Sequence, residues 1–261
     1  MNFQTLDVTV DARNVCHLRL NTPEKRNVLS AQMIAELTQA AAVIGSDDTV
    51  RAVILSGEGK LFCAGGDLNW MKAQQTADRA QRMTEARKLA DMLRALNAMP
   101  KPLIGKIHGG AFGGGVGLAC VCDVAIAEAS ASFAFSETRL GIIPATIGPY
   151  VIARMGEGKA RGVFMSGRVF QAGEAVDLGI VARSVGTVGE LDEAVEAEVK
   201  PYLSAAPRAV GRAKRLALSL GSAIDDAAIE ASIEALADAW EDEEAMHGIS
   251  AFLSKQPPRW A

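Results

Sequence analysis

Six of the nine residues from 109 to 117 are glycine, and the apolar run Leu118-Ala119-Cys120-Val121-Cys122 follows directly. Residues 102–107 before it (Pro-Leu-Ile-Gly-Lys-Ile) read as a strand, and residues 115–122 as a buried helix. A glycine turn that opens into a helix offers unpaired backbone N–H groups, with the positive end of the helix dipole behind them. Glycine also leaves no Cβ between those donors and an incoming oxygen. Such a turn can bind negative charge, either a phosphate or an oxyanion. The dinucleotide fingerprint needs glycines at i, i+2 and i+5, and no start between Gly109 and Gly117 provides them; the phosphate loop fails for want of Gly-Lys-Ser or Gly-Lys-Thr. What remains is an oxyanion site, or a helix packed closely on a sheet with no chemistry.

A second glycine turn, Leu61-Phe-Cys-Ala-Gly-Gly-Asp-Leu68, follows a buried-strand pattern at residues 52–56 and the turn Gly57-Glu-Gly59. An oxyanion hole for a thioester needs two N–H donors converging on one oxygen, and two such turns can supply one each. The third group is Glu137, at the boundary between the strand pattern Ser132-Phe-Ala-Phe135 and an apolar turn rich in Ile, Pro and Gly. Burial disfavours the charged carboxylate and raises its pKa, which suits a general acid/base near neutrality. An acid at a turn also serves as a surface cap or an ion-pair partner. The residue alone leaves both open.

Phe62-Cys-Ala-Gly-Gly-Asp-Leu68, together with Gly113-Gly-Gly-Val-Gly-Leu118 and Asp123, resembles the enoyl-CoA hydratase/isomerase (crotonase) superfamily, over about residues 6–260. The resemblance implies an α/β fold of stacked ββα units with a C-terminal helical trimerisation region. Residues 1–203 would form the core and residues 204–261 the oligomerisation region of a homotrimer or a dimer of trimers. The substrate would be an acyl-CoA, with coenzyme A entering as part of the thioester and no permanently bound cofactor. By family position, Gly66 and Gly114 give the two oxyanion donors and Glu137 is the catalytic acid/base. Lys25 and Arg26 lie along the adenosine end of coenzyme A; Ala64, Asp67 and Leu68 also contact it, and Phe252 and Lys255 match its C-terminal contacts. Trp70 and Met71 wall the acyl pocket, which Gly117 and Arg139 also border.

At Gly117 the chain departs from the commonest hydratases, which carry a second glutamate there. One carboxylate suffices for Δ3-Δ2 isomerisation, in which a single base moves a proton from the α to the γ carbon. Members that hydrate branched dicarboxylic thioesters, the 3-methylglutaconyl-CoA and isohexenylglutaconyl-CoA hydratases of leucine and acyclic terpene breakdown, include examples with Gly at this position. They share the patterns seen at residues 67–71 and 136–151, which favours hydration. Arg139 is then the candidate cation for an acyl carboxylate, or half of a buried structural pair.

The elements that must position these groups are legible around them. Leu6, Val8 and Val10, then Cys16, Leu18 and Leu20, alternate about residues 11–14, as in a hairpin. A polar turn at 22–27 precedes a helix capped by Ser30 and followed through Met33, Ile34, Leu37 and Val43. Residues 76–98 read as a polar helix with Met83, Ala86, Ala90, Leu93 and Leu96 on one face, ended by Met99-Pro100. Strands are expected at 124–127 and 132–135, and a last core connection at 176–181. Helices follow from about 204, with Pro207 in a first turn, and then at 224–237 and 240–252. Arg208, Arg212 and Arg215, with Lys214 beside them, form a solvated basic face.

Composition removes other classes. The 261 residues, 49% hydrophobic, suit one or at most two globular domains with a sizeable core. A net charge of -4 gives no reason to expect nucleic acid or an anionic membrane. With no apolar run near membrane-spanning length and no leader pattern, a cytoplasmic protein is expected. Cys16, Cys63, Cys120 and Cys122 sit in apolar stretches and read as buried free thiols; neither they nor the three scattered histidines make a metal site. No Gly-x-Ser-x-Gly elbow supports a serine hydrolase. A catalytically silent scaffold is the remaining non-enzyme alternative.

Overall fold

The computed structural model describes residues 3–221 and 224–261. β1 (Leu6–Val10) and β2 (Val15–Leu20) form the expected antiparallel hairpin, with Leu6 opposite Leu20 and Val10 opposite Cys16. α1 (Ala31–Ser46) returns the chain to β3 (Ala52–Gly57), which pairs in parallel with β2. Ser30 caps α1, its hydroxyl accepting from the Met33 N–H at 3.2 Å. The buried stripe of α1 runs through Leu37, Ala40, Ala41 and Ile44, so Val43 faces outward, against the sequence expectation.

α2 (Leu68–Thr76) and α3 (Arg79–Ala98) lead to β4 (Leu103–Ile107). The helix expected over 76–98 is α3, which starts at Arg79, and α2 before it adds a helix that the sequence reading did not contain. Asp78 starts α3 in a capping box with Gln81, and such a cap satisfies the first N–H groups of a new helix rather than continuing an old one. β5 (Gly110–Phe112), α4 (Gly114–Val121), β6 (Val124–Glu128) and β7 (Ser132–Ala134) follow, and a 3-10 turn spans Glu137–Leu140. α5 (Gly148–Met155), α6 (Glu157–Phe164), β8 (Phe170–Gln171), α7 (Ala172–Leu178), β9 (Arg183–Val185) and α8 (Val188–Ser204) complete the sheets and their cover. The connection expected at 176–181 is the end of α7, closed by Gly179 in the left-handed region. α9 (Pro207–Leu220), α10 (Asp226–Glu241) and α11 (Glu243–Leu253) form the C-terminal part.

The main sheet runs β1-β2-β3-β4-β6-β9, parallel from β2 onward, beside a smaller sheet β5-β7-β8. Parallel strands are buried on both faces, and the side-chain alternation divides them cleanly. Val15, Ile54, Ile104 and Ile126 meet Leu191, Val195 and Val199 of α8. Their neighbours Leu18, Val53, Leu55, Leu103 and Ala125 join the larger core with α1, α3 and α4. A third apolar cluster joins α3 (Ala86, Ala90) to α10 and α11 through Ile229, Ile233, Trp240 and Ile249. The C-terminal helices therefore continue the body of the chain. All four cysteines are free and buried, and burial pushes Cys63, Cys120 and Cys122 up to about 12. No helix among the described residues is long and apolar enough to cross a membrane.

Candidate active site

The two glycine turns are laced together by backbone contacts. Phe112 N–H donates to Cys63 O at 3.0 Å, Cys63 N–H to Gly110 O at 3.2 Å and Leu29 N–H to Gly65 O at 2.7 Å. Gly65 has φ +91° and Gly113 φ +49°, conformations that favour glycine. A Cβ at Gly65 would stand 2.6 Å from Phe112 O, so the turns meet only because that atom is missing. After these turns come Gly66 and Gly114, whose N–H groups have no acceptor among the described residues. Gly114 opens α4, where no intrahelical partner exists. Gly66 precedes Asp67, whose carboxylate caps α2 by accepting from Asn69 and Trp70 N–H at 2.8 and 3.0 Å. Both glycines line one cavity.

Glu137 lines the same cavity. Its Oε1 lies 2.8 Å from where a Gly113 Cβ would be, so the carboxyl rests on the glycine turn. Its Oε2 is buried with no hydrogen-bond partner. Burial pushes the carboxyl from an ordinary 4.5 up to about 7, against the pull of the residue's own backbone N–H. The reading as a surface cap or ion-pair partner does not fit this placement.

The walls are apolar: Leu29 and Ile34 from the start of α1, Trp70 and Met71 from α2, Leu89 from α3, residues 142–147 from the loop before α5, and Leu236 and Trp240 from α10. They enclose about 90 Å³ of water-accessible space. Trp70 and Trp240 meet edge to face at 6.4 Å. Arg82 spans the two helices that carry them, donating to Gln74 O at 2.9 Å and Trp240 O at 3.2 Å, with its guanidinium 5.7 Å from the Trp240 ring. α10 thus helps to roof the cavity of its own chain.

The remaining sequence-selected residues divide. Lys25 and Arg26 are exposed on the 22–27 turn, and Ala64 N–H donates to Arg26 O at 3.0 Å, which holds that turn against the Gly66 loop. Leu68 is exposed, and Phe252 and Lys255 are exposed at the end of α11, outside the cavity lining. Gly117 sits one layer behind the cavity: a Cβ there would overlap the Ile147 side chain, 3.0 Å from its Cβ. Ile147 therefore fills the space in which the resemblance places a second carboxylate. Arg139 corrects the sequence reading. It is exposed and outside the cavity lining, its Cγ 2.9 Å from the Cβ position of Gly167, and no ion pair engages it among the described residues.

Sequence reasoning missed Asn27, Arg82, Thr146, Ile147, Leu236 and Trp240. Asn27, fully buried at φ 52°, accepts from Thr22 N–H and donates to Glu58 O and Leu61 O, tying the basic turn to the 57–61 turn. Its signal was an Asn beside a polar turn, where left-handed backbone is tolerated. The others act through tertiary contacts that no local pattern carries.

A family model described as Enoyl-CoA hydratase/isomerase matches residues 11–261. A putative enoyl-CoA hydratase of Thermus thermophilus is 32% identical over 256 residues, covering 97% of this chain and 100% of that one. The probable enoyl-CoA hydratase echA6 of Mycobacterium bovis is 33% identical over 257 residues, covering 95% and 96%. Among solved structures, an enoyl-CoA hydratase from Shewanella pealeana superposes with a TM-score of 0.81 at 34% identity over 99% of this chain and 96% of that one. Pseudomonas aeruginosa AtuE gives 0.80 at 35% over 99% and 100%. The match runs through both glycine turns and the glutamate they cradle, and extends to the last residue: the chain belongs to the enoyl-CoA hydratase/isomerase family and is an enzyme of that family.

Proposed function

We propose that the enzyme hydrates a 2-enoyl-CoA thioester whose acyl group is uncharged and apolar. The observation that carries this is a buried, partnerless carboxyl sharing an apolar cavity with two unengaged backbone N–H groups. The thioester oxygen takes the N–H groups of Gly66 and Gly114, which stabilise the enolate as negative charge develops. A carboxyl poised near neutrality can deliver a proton from one oxygen to the α carbon and accept one from water at the other. In that exchange a C–H and a C–O bond form, one water O–H bond breaks, and Glu137 ends as it began.

The lining offers no lysine, arginine or histidine. An acyl carboxylate in this space would be an unpaired buried charge, at a cost of several kcal/mol. This weighs against the 3-methylglutaconyl and isohexenylglutaconyl thioesters, since Arg139 is outside the lining. A second reading, Δ3-Δ2 isomerisation, draws support from Glu137 being the sole ionisable side chain in the lining. Lys25, Arg26, Ala64, Asp67 and Leu68 are proposed to hold the coenzyme A portion, with Phe252 and Lys255 as C-terminal contacts. Residues 1–203 serve as catalytic core and 204–261 as the assembly region of a homotrimer or dimer of trimers. The outward Leu216 and Leu220 of α9, 59% and 79% exposed, support that assembly. Four free buried thiols suit a reducing, cytoplasmic setting.

The test follows the 2-enoyl thioester absorbance with crotonyl-CoA, 3-methylglutaconyl-CoA and a 3-enoyl-CoA, each with wild type and Glu137→Gln. Loss of absorbance on crotonyl-CoA, abolished by the substitution, is the expected result. The neutral substrate should exceed the carboxylated one in kcat/KM by about 100-fold or more, the factor that several kcal/mol represents. Absorbance gained from the 3-enoyl substrate alone transfers the assignment to isomerase, and Glu137→Gln at wild-type rate removes the mechanism.

A further inference from the structure

One polar side chain in the cavity has no part in the chemistry above. Thr146 lines the cavity and is 5% exposed, yet its hydroxyl makes no hydrogen bond to any described residue. A threonine just before a helix ordinarily caps it. Here Ile147 is the cap residue of α5, and no side chain caps that helix. The Thr146 oxygen is not fully enclosed, as Tyr150 Oη is, and the residue lines the cavity. Its neighbours in the loop, Ile142, Ile143, Pro144, Ala145 and Ile147, bring no other hydroxyl or carboxyl. Ile147 also fills the space at Gly117, so no other acid reaches the cavity from α4.

A buried hydroxyl without a protein partner needs one from the cavity's contents. The free space of about 90 Å³ admits water, and a bound water is held well when two or more polar groups meet it. We propose that Thr146 is the water-positioning residue of this site, holding the water that adds to the β carbon. This rests on the hydration reading. The Thr146 oxygen accepts a hydrogen bond from the water O–H that stays intact. The other O–H gives its proton to the Glu137 carboxyl as the water oxygen bonds to the β carbon, and Glu137 delivers its own proton to the α carbon. Thr146 neither gains nor loses a proton.

The test separates water addition from proton transfer. Hydration of crotonyl-CoA is measured beside exchange of the α protons of butyryl-CoA in D2O, followed by proton NMR. Exchange needs Glu137 and the two N–H donors, but no water at the β carbon. Thr146→Val keeps the side-chain shape and removes the hydroxyl, and Thr146→Ser keeps the hydroxyl. The expected result is that Thr146→Val loses at least tenfold more in hydration kcat than in exchange, and that Thr146→Ser recovers most of the loss. Equal losses in the two reactions, or no loss of hydration, would overturn the role of Thr146. Wild type that exchanges but does not hydrate overturns it too, while sparing Glu137. Wild type that does neither removes the function itself.

Discussion

The partnerless carboxyl of Glu137 should weaken the fold at neutral and alkaline pH. In the unfolded chain its pKa is near the ordinary 4.5; burial raises it to about 7 in the folded protein. The folded state therefore binds the proton more tightly. The stability this gives is fully present below pH 4.5 and is lost as pH rises through 7, where the folded chain must bury a charge. At 1.36 kcal/mol per pKa unit the full difference is about 3 kcal/mol, and about 2.5 kcal/mol of it should develop between pH 5 and pH 8.5. Glu137→Gln keeps the shape and cannot ionise, so its advantage over wild type should grow by that amount across the same interval. Urea unfolding of both proteins at the two pH values, at one fixed protein concentration, measures it. In melting temperature the change corresponds to roughly 5–10 °C for a chain of this size. A wild-type-to-variant gap that stays constant with pH would refute the reasoning, because it would mean that the carboxyl ionises as freely folded as unfolded.

Two further substitutions test the packing around the glycine turns. Gly117→Glu should destabilise by about 3 kcal/mol or more, because it both overpacks against Ile147 and buries an unpaired charge. Adding Ile147→Ala should recover part of that loss in thermal unfolding, and a single variant as stable as wild type would show that Ile147 does not fill the space. Gly114→Ala and Gly115→Ala should separate function from folding. A Cβ at 115 would stand 2.6 Å from the backbone oxygen of Cys63, whereas at 114 it would stand 2.7 Å from Cδ1 of Leu29, which can move. Gly115→Ala should unfold at lower denaturant; Gly114→Ala should keep the fold and lose up to about 100-fold in turnover as the donor shifts.

The sequence revealed most where a backbone requirement selects residue type. The glycine runs at 61–68 and 109–117 mark two turns after strands, and in the structure Gly65 and Gly113 take the left-handed backbone that glycine favours. β2 was readable from its alternation and β3, β4 and β6 from their apolar runs, because each has five or six residues. β5, β7, β8 and β9 have two or three, too few for a period to show, and only β7 was anticipated. Thr146 and Ile147 lie in an apolar stretch whose side chains find the cavity only once the loop turns into α5. Trp240 is about 100 residues from Glu137 along the chain, and only the fold of α10 onto α3 joins them. Arg139 misled for the same reason: its charge suited a carboxylated substrate, but the 3-10 turn after Glu137 sends it outward beside Gly167.

The apolar walls affect every group they enclose. By excluding water they hold the Glu137 carboxyl near neutrality, and by the same exclusion they strengthen the attraction of two N–H dipoles for an oxyanion. These effects are compatible only if the net charge in the cavity stays small throughout the reaction. In the proposed hydration a neutral thioester enters against a protonated Glu137, and negative charge develops on the thioester oxygen as the water oxygen bonds to the β carbon. That charge disperses as Glu137 delivers its proton to the α carbon and takes one from the water. A permanent anion on the acyl chain would sit in the cavity at every stage and would raise the Glu137 pKa further, away from the pH at which it can do both halves of the transfer. Among the described residues the lining holds no cation and a single carboxyl; both follow from the same apolar enclosure, and both accord with the neutral acyl group proposed above.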